Sequence, residues 1–157
     1  MTFLSSFWGK VFKTLVIAMV PVIELRGAIP IGMGMGLKLP VAILVSLIGN
    51  LIPVPFIIIF IKKIFALMRK WSKKLDTLVT KLENRAFSKG EVVKKYAFWG
   101  LFILVAIPLP GTGAWTGALV AAMLDMPLKK AVPAITAGVI GAAIIVSFVT
   151  YGAAALI

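Results

Sequence analysis

The chain has 157 residues, 61% of them apolar and 14% charged, and its seventeen Lys and Arg against five Asp and Glu give a formal charge of +12. Mean hydropathy is +1.09. A soluble domain is roughly 45–50% apolar and about 25% charged, so this chain has too few polar side chains to cover a water-facing surface, and it reads as one membrane domain over residues 1–157. Cysteine and histidine are both absent, which excludes disulfides and the usual zinc, haem and thiol ligands as well as Ser-His and Cys-His nucleophiles. No metal, no cofactor and no enzymatic activity are expected.

Residues 1–13 place Phe3, Leu4, Phe7, Trp8, Val11 and Phe12 on one helical face, with Ser5, Ser6, Lys10 and Lys13 mostly opposite. That pattern predicts a helix lying in the membrane interface. Residues 14–61 form a first repeat: an apolar stretch broken in its middle (14–37), then a charge-free run (39–61) long enough to span a ~30 Å core. Residues 62–95 hold eleven Lys and Arg and three acids, which predicts a cytoplasmic segment. Its apolar positions Ile64, Met68, Trp71, Leu75, Leu78 and Leu82 alternate steps of four and three, the seam of an amphipathic helix or a dimerising coiled coil. A basic segment beside lipid phosphates needs no nucleic acid as partner. Residues 96–157 form a second repeat, broken over 96–124 and followed by the charge-free run 131–153.

The halves match at an offset of 87 (Pro21 with Pro108, Leu37 with Leu124, Pro40 with Pro127), with a two-residue shift by Gly49 and Gly138. Internal repeats around interrupted helices are a common transporter build. The first break is Pro21-Val-Ile-Glu24-Leu-Arg26-Gly27-Ala-Ile-Pro30, and the second Pro108-Leu-Pro110-Gly111-Thr112-Gly113. Each broken segment either turns back as a re-entrant hairpin or crosses as a kinked helix. Counting Lys and Arg gives thirteen inside against three outside both ways. The run of Pro and Gly at the second break favours the hairpin, hence inverted repeats whose breaks meet, since irregular backbone at that depth needs protein or water around it.

Glu24 and Arg26 are the candidate proton or substrate site, because an ionisable group inside a membrane segment is costly unless paired or solvated. If Gly27 and Pro30 keep this stretch extended, the two side chains share a face and pair. Burial and a neighbouring guanidinium act in opposite senses on a carboxyl, a combination that permits proton exchange near neutral pH. By the offset, Gly111 and Gly113 stand where Glu24 and Arg26 do. With a helix start near Ala114, they suit a phosphate or carboxylate or simply permit the turn. Thr112 lies between them. Trp115 walls a pocket, stacks on a cation or packs. Asn50 and Thr136 are expected to bond between helices, and Gly49, Gly138 and Gly141 to permit close helix contact.

The stretches Glu24-Leu-Arg26-Gly27-Ala-Ile-Pro30-Ile-Gly32 and Pro108-Leu-Pro110-Gly111-Thr112-Gly113-Ala-Trp115-Thr116-Gly117 resemble the two signatures of the small multidrug export protein family. That family is distantly similar to the DedA/VTT superfamily, whose members are thought to contain paired re-entrant hairpins and inverted repeats. The resemblance implies a transporter. The resulting expectation is an all-α integral membrane protein of the inner membrane: two inverted repeats, each a re-entrant helical hairpin followed by a transmembrane helix, joined by a basic amphipathic cytoplasmic helix. A homodimer is favoured by size. Three functions stay open: proton-coupled export of a small or amphiphilic substrate, a flippase for a phosphate-bearing lipid carrier, and an assembly scaffold acting through the connector.

Overall fold

The computed structural model describes residues 6–155, so Phe3, Leu4 and Ser5 of the predicted interfacial helix lie outside the described residues. Among these, the regular structure is all helical, as expected: α1 (Phe7–Met19), α2 (Glu24–Gly34), α3 (Leu39–Leu51), α4 (Pro53–Trp71), α5 (Lys73–Tyr96), α6 (Phe98–Ala106), α7 (Ala114–Met123) and α8 (Leu128–Ala155). Two stretches are long and apolar enough to cross a membrane, Leu39–Trp71 and Leu128–Ala153. The first is α3 and α4 with a break at Ile52, where Pro53 and Pro55 cannot donate to the preceding turn. It runs past position 61 and carries Lys62, Lys63, Arg69 and Lys70 on the same rod.

The same order of elements occurs twice: a short helix, a break, a second short helix, a tight turn and a long helix. In each half the second short helix lies back against the first. A Cβ on Gly32 of α2 would stand 3.0 Å from Thr14 of α1, and one on Gly117 of α7 would stand 3.6 Å from Leu101 of α6. The turns into the long helices share one C-cap. Leu37 N donates to Gly32 O (3.0 Å) past Gly36 at φ +89, and Met126 N donates to Ala121 O (2.9 Å) past Asp125 at φ +53. Both are the 6→1 bond around a left-handed residue that closes many helices.

These caps move the repeat register. α1 and α6 end at Met19 and Ala106, in step with Pro21 and Pro108. The left-handed caps Gly36 and Asp125, and the helix starts Leu39 and Leu128, stand two residues further apart. The extra residues therefore lie in the second break, upstream of the expected position after Pro40. Consequently Leu37 and Pro40 are not the counterparts of Leu124 and Pro127.

Gly49 and Gly138 do occupy matching places. A Cβ at Gly49 would overlap the Leu15 carbonyl of α1 and stand 2.9 Å from Ala18, while one at Gly138 would stand 2.9 Å from the Phe102 carbonyl of α6. Each lets a long helix touch the backbone of its own short helix, the contact small residues permit in lipid. Gly141 does the same more loosely, 3.3 Å from Ala106. Gly49→Val is expected to destabilise the protein by about 3 kcal/mol through overpacking. Gly34→Ala, whose Cβ meets nothing within 4 Å, should leave the melting midpoint in detergent unchanged or higher. Equal midpoints for the two variants would refute the contact.

The connector differs from the expected single helix. Ser72, at φ −162° and ψ 143°, ends α4 and caps α5, its Oγ accepting from Lys74 N (3.3 Å). The heptad seam crosses this break and does not continue as one helical stripe. Ile64, Trp71 and Leu78 are exposed, whereas Phe65, Val79, Ala86 and Val93 are buried. The chain turns at Ser72 so that Arg69 pairs with Asp76 (2.7 Å) and Glu83. α5 then packs inward, Gly90 against Val120 and Leu124 at the end of α7.

Candidate functional site

The first break is shorter than its sequence suggests. Only residues 20–23 are irregular, because α2 opens at Glu24 itself and runs through Gly27 and Pro30 to Gly34. The stretch from Glu24 to Pro30 is therefore helical rather than extended. Val22 (φ +82°) and Glu24 (φ +50°) carry the reversal, a left-handed conformation that a β-branched residue adopts only under strain. Val22 is also 96% exposed. No motif announces this strain, since neither residue is a Gly or Asn.

Glu24 and Arg26 diverge as they do on any helix two residues apart. Among the described residues no salt bridge joins them; each reaches across to the second broken segment instead. Glu24 is 4% exposed, and its Oε1 accepts from the backbone N of Trp115 (3.2 Å) at the first turn of α7. The helix start expected to hold an anion holds this chain's own carboxylate, where orphan N–H groups and the helix dipole favour negative charge.

Gly113 makes that seat possible. At φ 121° and ψ −170° it precedes α7 without a side chain, and a Cβ there would overlap the Glu24 carboxyl. The predicted equivalences therefore fail: Gly113 faces Glu24 and does not replace Arg26, while Gly111 sits in the longer second loop.

Arg26 closes the other half of the break. Its Nη1 donates to the carbonyls of Leu109 (2.8 Å) and Thr112 (3.2 Å), and its Nη2 to those of Val105 (3.3 Å) and Ile107 (3.0 Å) and to Thr112 Oγ1 (3.0 Å). Val105 and Ile107 end α6, so the cation sits where a helix leaves carbonyls unpaired. A guanidinium fork suits this gathering of acceptors better than an ammonium. Thr112 Oγ1 also lies 2.7 Å from both the Ile107 and the Leu109 carbonyl, which share its single proton, and accepts from Leu109 N (3.2 Å). Pro108 and Pro110 shape an exposed loop, and Lys89 of α5 donates to the Gly111 carbonyl at its tip.

Trp115 completes the exchange in the reverse direction. Its indole Nε1 donates to the carbonyl of Met19 (3.0 Å), the last residue of α1. The second break thus caps the first while the first caps the second. Of the predicted residues, Glu24, Arg26, Thr112, Gly113 and Trp115 form one clasp. Gly27 and Pro30 lie within α2, and Gly111, Pro108 and Pro110 belong to the loop. The two polar residues expected to bond between helices do not: Thr136 donates to Val132 O of its own helix (2.8 Å), and the Asn50 amide has no partner among the described residues.

A family model described as "Putative small multi-drug export protein" matches residues 24–145. The chain belongs to this family. As a member of the small multidrug export family with two span-length apolar helices, it is a membrane protein. The matched span opens on Glu24, includes Arg26 and the whole second break, and ends inside α8, leaving α1 outside. No curated protein and no solved structure is matched by the chain.

Proposed function

We propose that the chain is a proton-coupled exporter of the inner membrane, with Glu24 as the proton site and the clasp as its gate. One observation carries this reading: a buried carboxyl from one broken segment holds the N-terminus of a half-helix in the other. Protonation would remove the negative charge that the helix dipole favours and would leave the Trp115 N–H only the weaker acceptor of a neutral carboxyl. α7 would then separate from α2, so proton binding and opening are one event. Deprotonation would reset the clasp. Arg26 keeps α6 and the 107–113 loop in place through both states.

On this proposal α1–α2 and α6–α7 are re-entrant hairpins in two inverted repeats. The basic run from Lys62 to Lys95 lies in the cytoplasm, as its charge favours, and the exposed faces of α1 and α5 meet anionic lipid. A second copy would supply the rest of an enclosed path. No chemistry is performed on the substrate. The flippase reading loses its anion seat to Glu24, and the scaffold reading loses its continuous seam at Ser72.

The test is efflux of ethidium, a small amphiphilic cation, from reconstituted vesicles. Efflux should require an imposed pH gradient and stop when the gradient is collapsed. Gradient-independent movement of a fluorescent phospholipid between leaflets, without ethidium efflux, would contradict the proposal.

A further inference from the structure

Helix α3, which packs against α2, contains a polar residue that nothing among the described residues satisfies. Asn50, on the last turn of α3, is 1% exposed, and among the described residues neither its Oδ1 nor its Nδ2 has a hydrogen-bond partner. One turn earlier Ser46 is 0% exposed, and its Oγ is also unpartnered. Orphaned buried polar groups are costly, and in native proteins ordered water usually meets them.

Extending the register of the two helices carries this pair toward the clasp. Gly32 of α2 faces Ala42 of α3, a Cβ on the glycine standing 3.4 Å from the alanine Cβ. The two helices run antiparallel, so eight residues along each brings position 24 opposite position 50. Backbone acceptors are plentiful here. Pro53 and Pro55 lack N–H, so the carbonyls of Gly49 and Leu51 lose the helical donor four residues on, and Pro30 does the same to Arg26. Arg26 Nε, also buried and unpartnered, adds a donor.

Few charges face Glu24. α3, α6 and α7 contain none, and α2 contributes Arg26 alone. Lys10 of α1 and Lys129 and Lys130 of α8 lie toward the opposite ends of those helices, Lys13 lies at the middle of α1, and Lys89 of α5 binds at Gly111.

We propose that Asn50 and Ser46 hold a short file of ordered water against Glu24, and that this water carries the proton to its carboxyl. The inference rests on the proton-coupled reading above. A proton entering the file as hydronium passes from water to water. The last water gives its proton to a Glu24 carboxylate oxygen, leaving a neutral carboxylic acid and a restored water. Asn50 is then a positioning residue, since its amide can donate to one water and accept from another while itself staying unchanged.

The experiment follows Glu24 directly, without a substrate. Full-length protein in lipid vesicles is given a pH jump, and the rise of the carboxylic acid C=O band is followed by time-resolved infrared spectroscopy, the band being assigned by its loss in Glu24→Gln. Asn50→Leu, apolar and of similar size, should slow the rise by about tenfold or more, while Asn50→Ser, which leaves room for water and offers a hydroxyl, should stay within about threefold of the parent. Parent-like kinetics in Asn50→Leu would overturn the water relay, as would Asn50→Ser being equally slow. Should Asn50→Leu fail to fold, Ser46→Ala decides: slower protonation supports the file and an unchanged rate overturns it. Absence of any Glu24 band responding to pH would instead overturn the proton-coupled reading itself.

Discussion

Replacing Arg26 with alanine is expected to lower the melting midpoint of the purified protein by roughly 10 °C, the shift that a loss of about 3 kcal/mol produces in a chain of this size. The guanidinium satisfies four carbonyls and one hydroxyl, and a hydrogen bond to a charged group is worth ~1.5–3 kcal/mol. Not all five count in full. The loop around Leu109 is exposed and water can replace its share, whereas the bonds to Val105 and Thr112 are partly buried. Two such bonds give the estimate. Arg26→Lys should recover less than half, because one ammonium with three donors cannot span carbonyls on both the end of α6 and the following loop. A differential scanning fluorimetry series over the parent, Arg26→Lys and Arg26→Ala checks this. Indistinguishable midpoints would mean that the carbonyls close on one another without the cation.

Gly113→Ala carries the second large effect. Its backbone, at φ 121° and ψ −170°, lies in a region essentially reserved for glycine, where another residue costs ~1–3 kcal/mol. The new methyl would also displace the Glu24 carboxyl, removing the cap on α7 at about 1 kcal/mol more. The sum is roughly 3 kcal/mol. Gly111→Ala is the matched control: its φ of +75° is the ordinary left-handed region, costing ~1–2 kcal/mol, and the only neighbour is the flexible tip of Lys89 at 3.1 Å. A double-mutant cycle separates the two parts of the Gly113 effect. In a Glu24→Ala background the carboxyl is gone, so Gly113→Ala should cost only its backbone share. Equal costs in the two backgrounds would show that Gly113 and Glu24 do not meet.

Much of this architecture is legible in the residues themselves. The charge-free runs, the concentration of Lys and Arg in 62–95 and the pairing of Gly49 with Gly138 are local patterns, and each follows from solvation or close packing. Glu24 and Arg26 stand out because charge is rare in an apolar segment. Their partners do not stand out, since Glu24 and Trp115 are 91 positions apart and no spacing rule links a carboxylate to a distant helix start. The offset of 87 misled for a related reason. Identical prolines aligned Pro40 with Pro127, whereas cap geometry pairs Gly36 with Asp125, a match hidden by the change from glycine to aspartate. Ser72 was readable as an N-cap with Asp76 in the first turn of α5, but the regular steps of Ile64, Met68 and Trp71 masked it. Asn50 gives the opposite lesson. A lone amide in an apolar span suggests a helix–helix bond, and only its orphaned atoms at the level of Glu24 point to water.

The central claim is that one proton on Glu24 releases α7, and Glu24→Gln tests it most directly. Glutamine keeps the shape but, uncharged like the protonated carboxyl, leaves the start of α7 without its anion and cannot exchange a proton. In vesicles carrying an imposed pH gradient, the variant should fold and bind ethidium yet lose gradient-driven efflux by about a hundredfold or more. Efflux at the parent rate and with the same dependence on the gradient would contradict it.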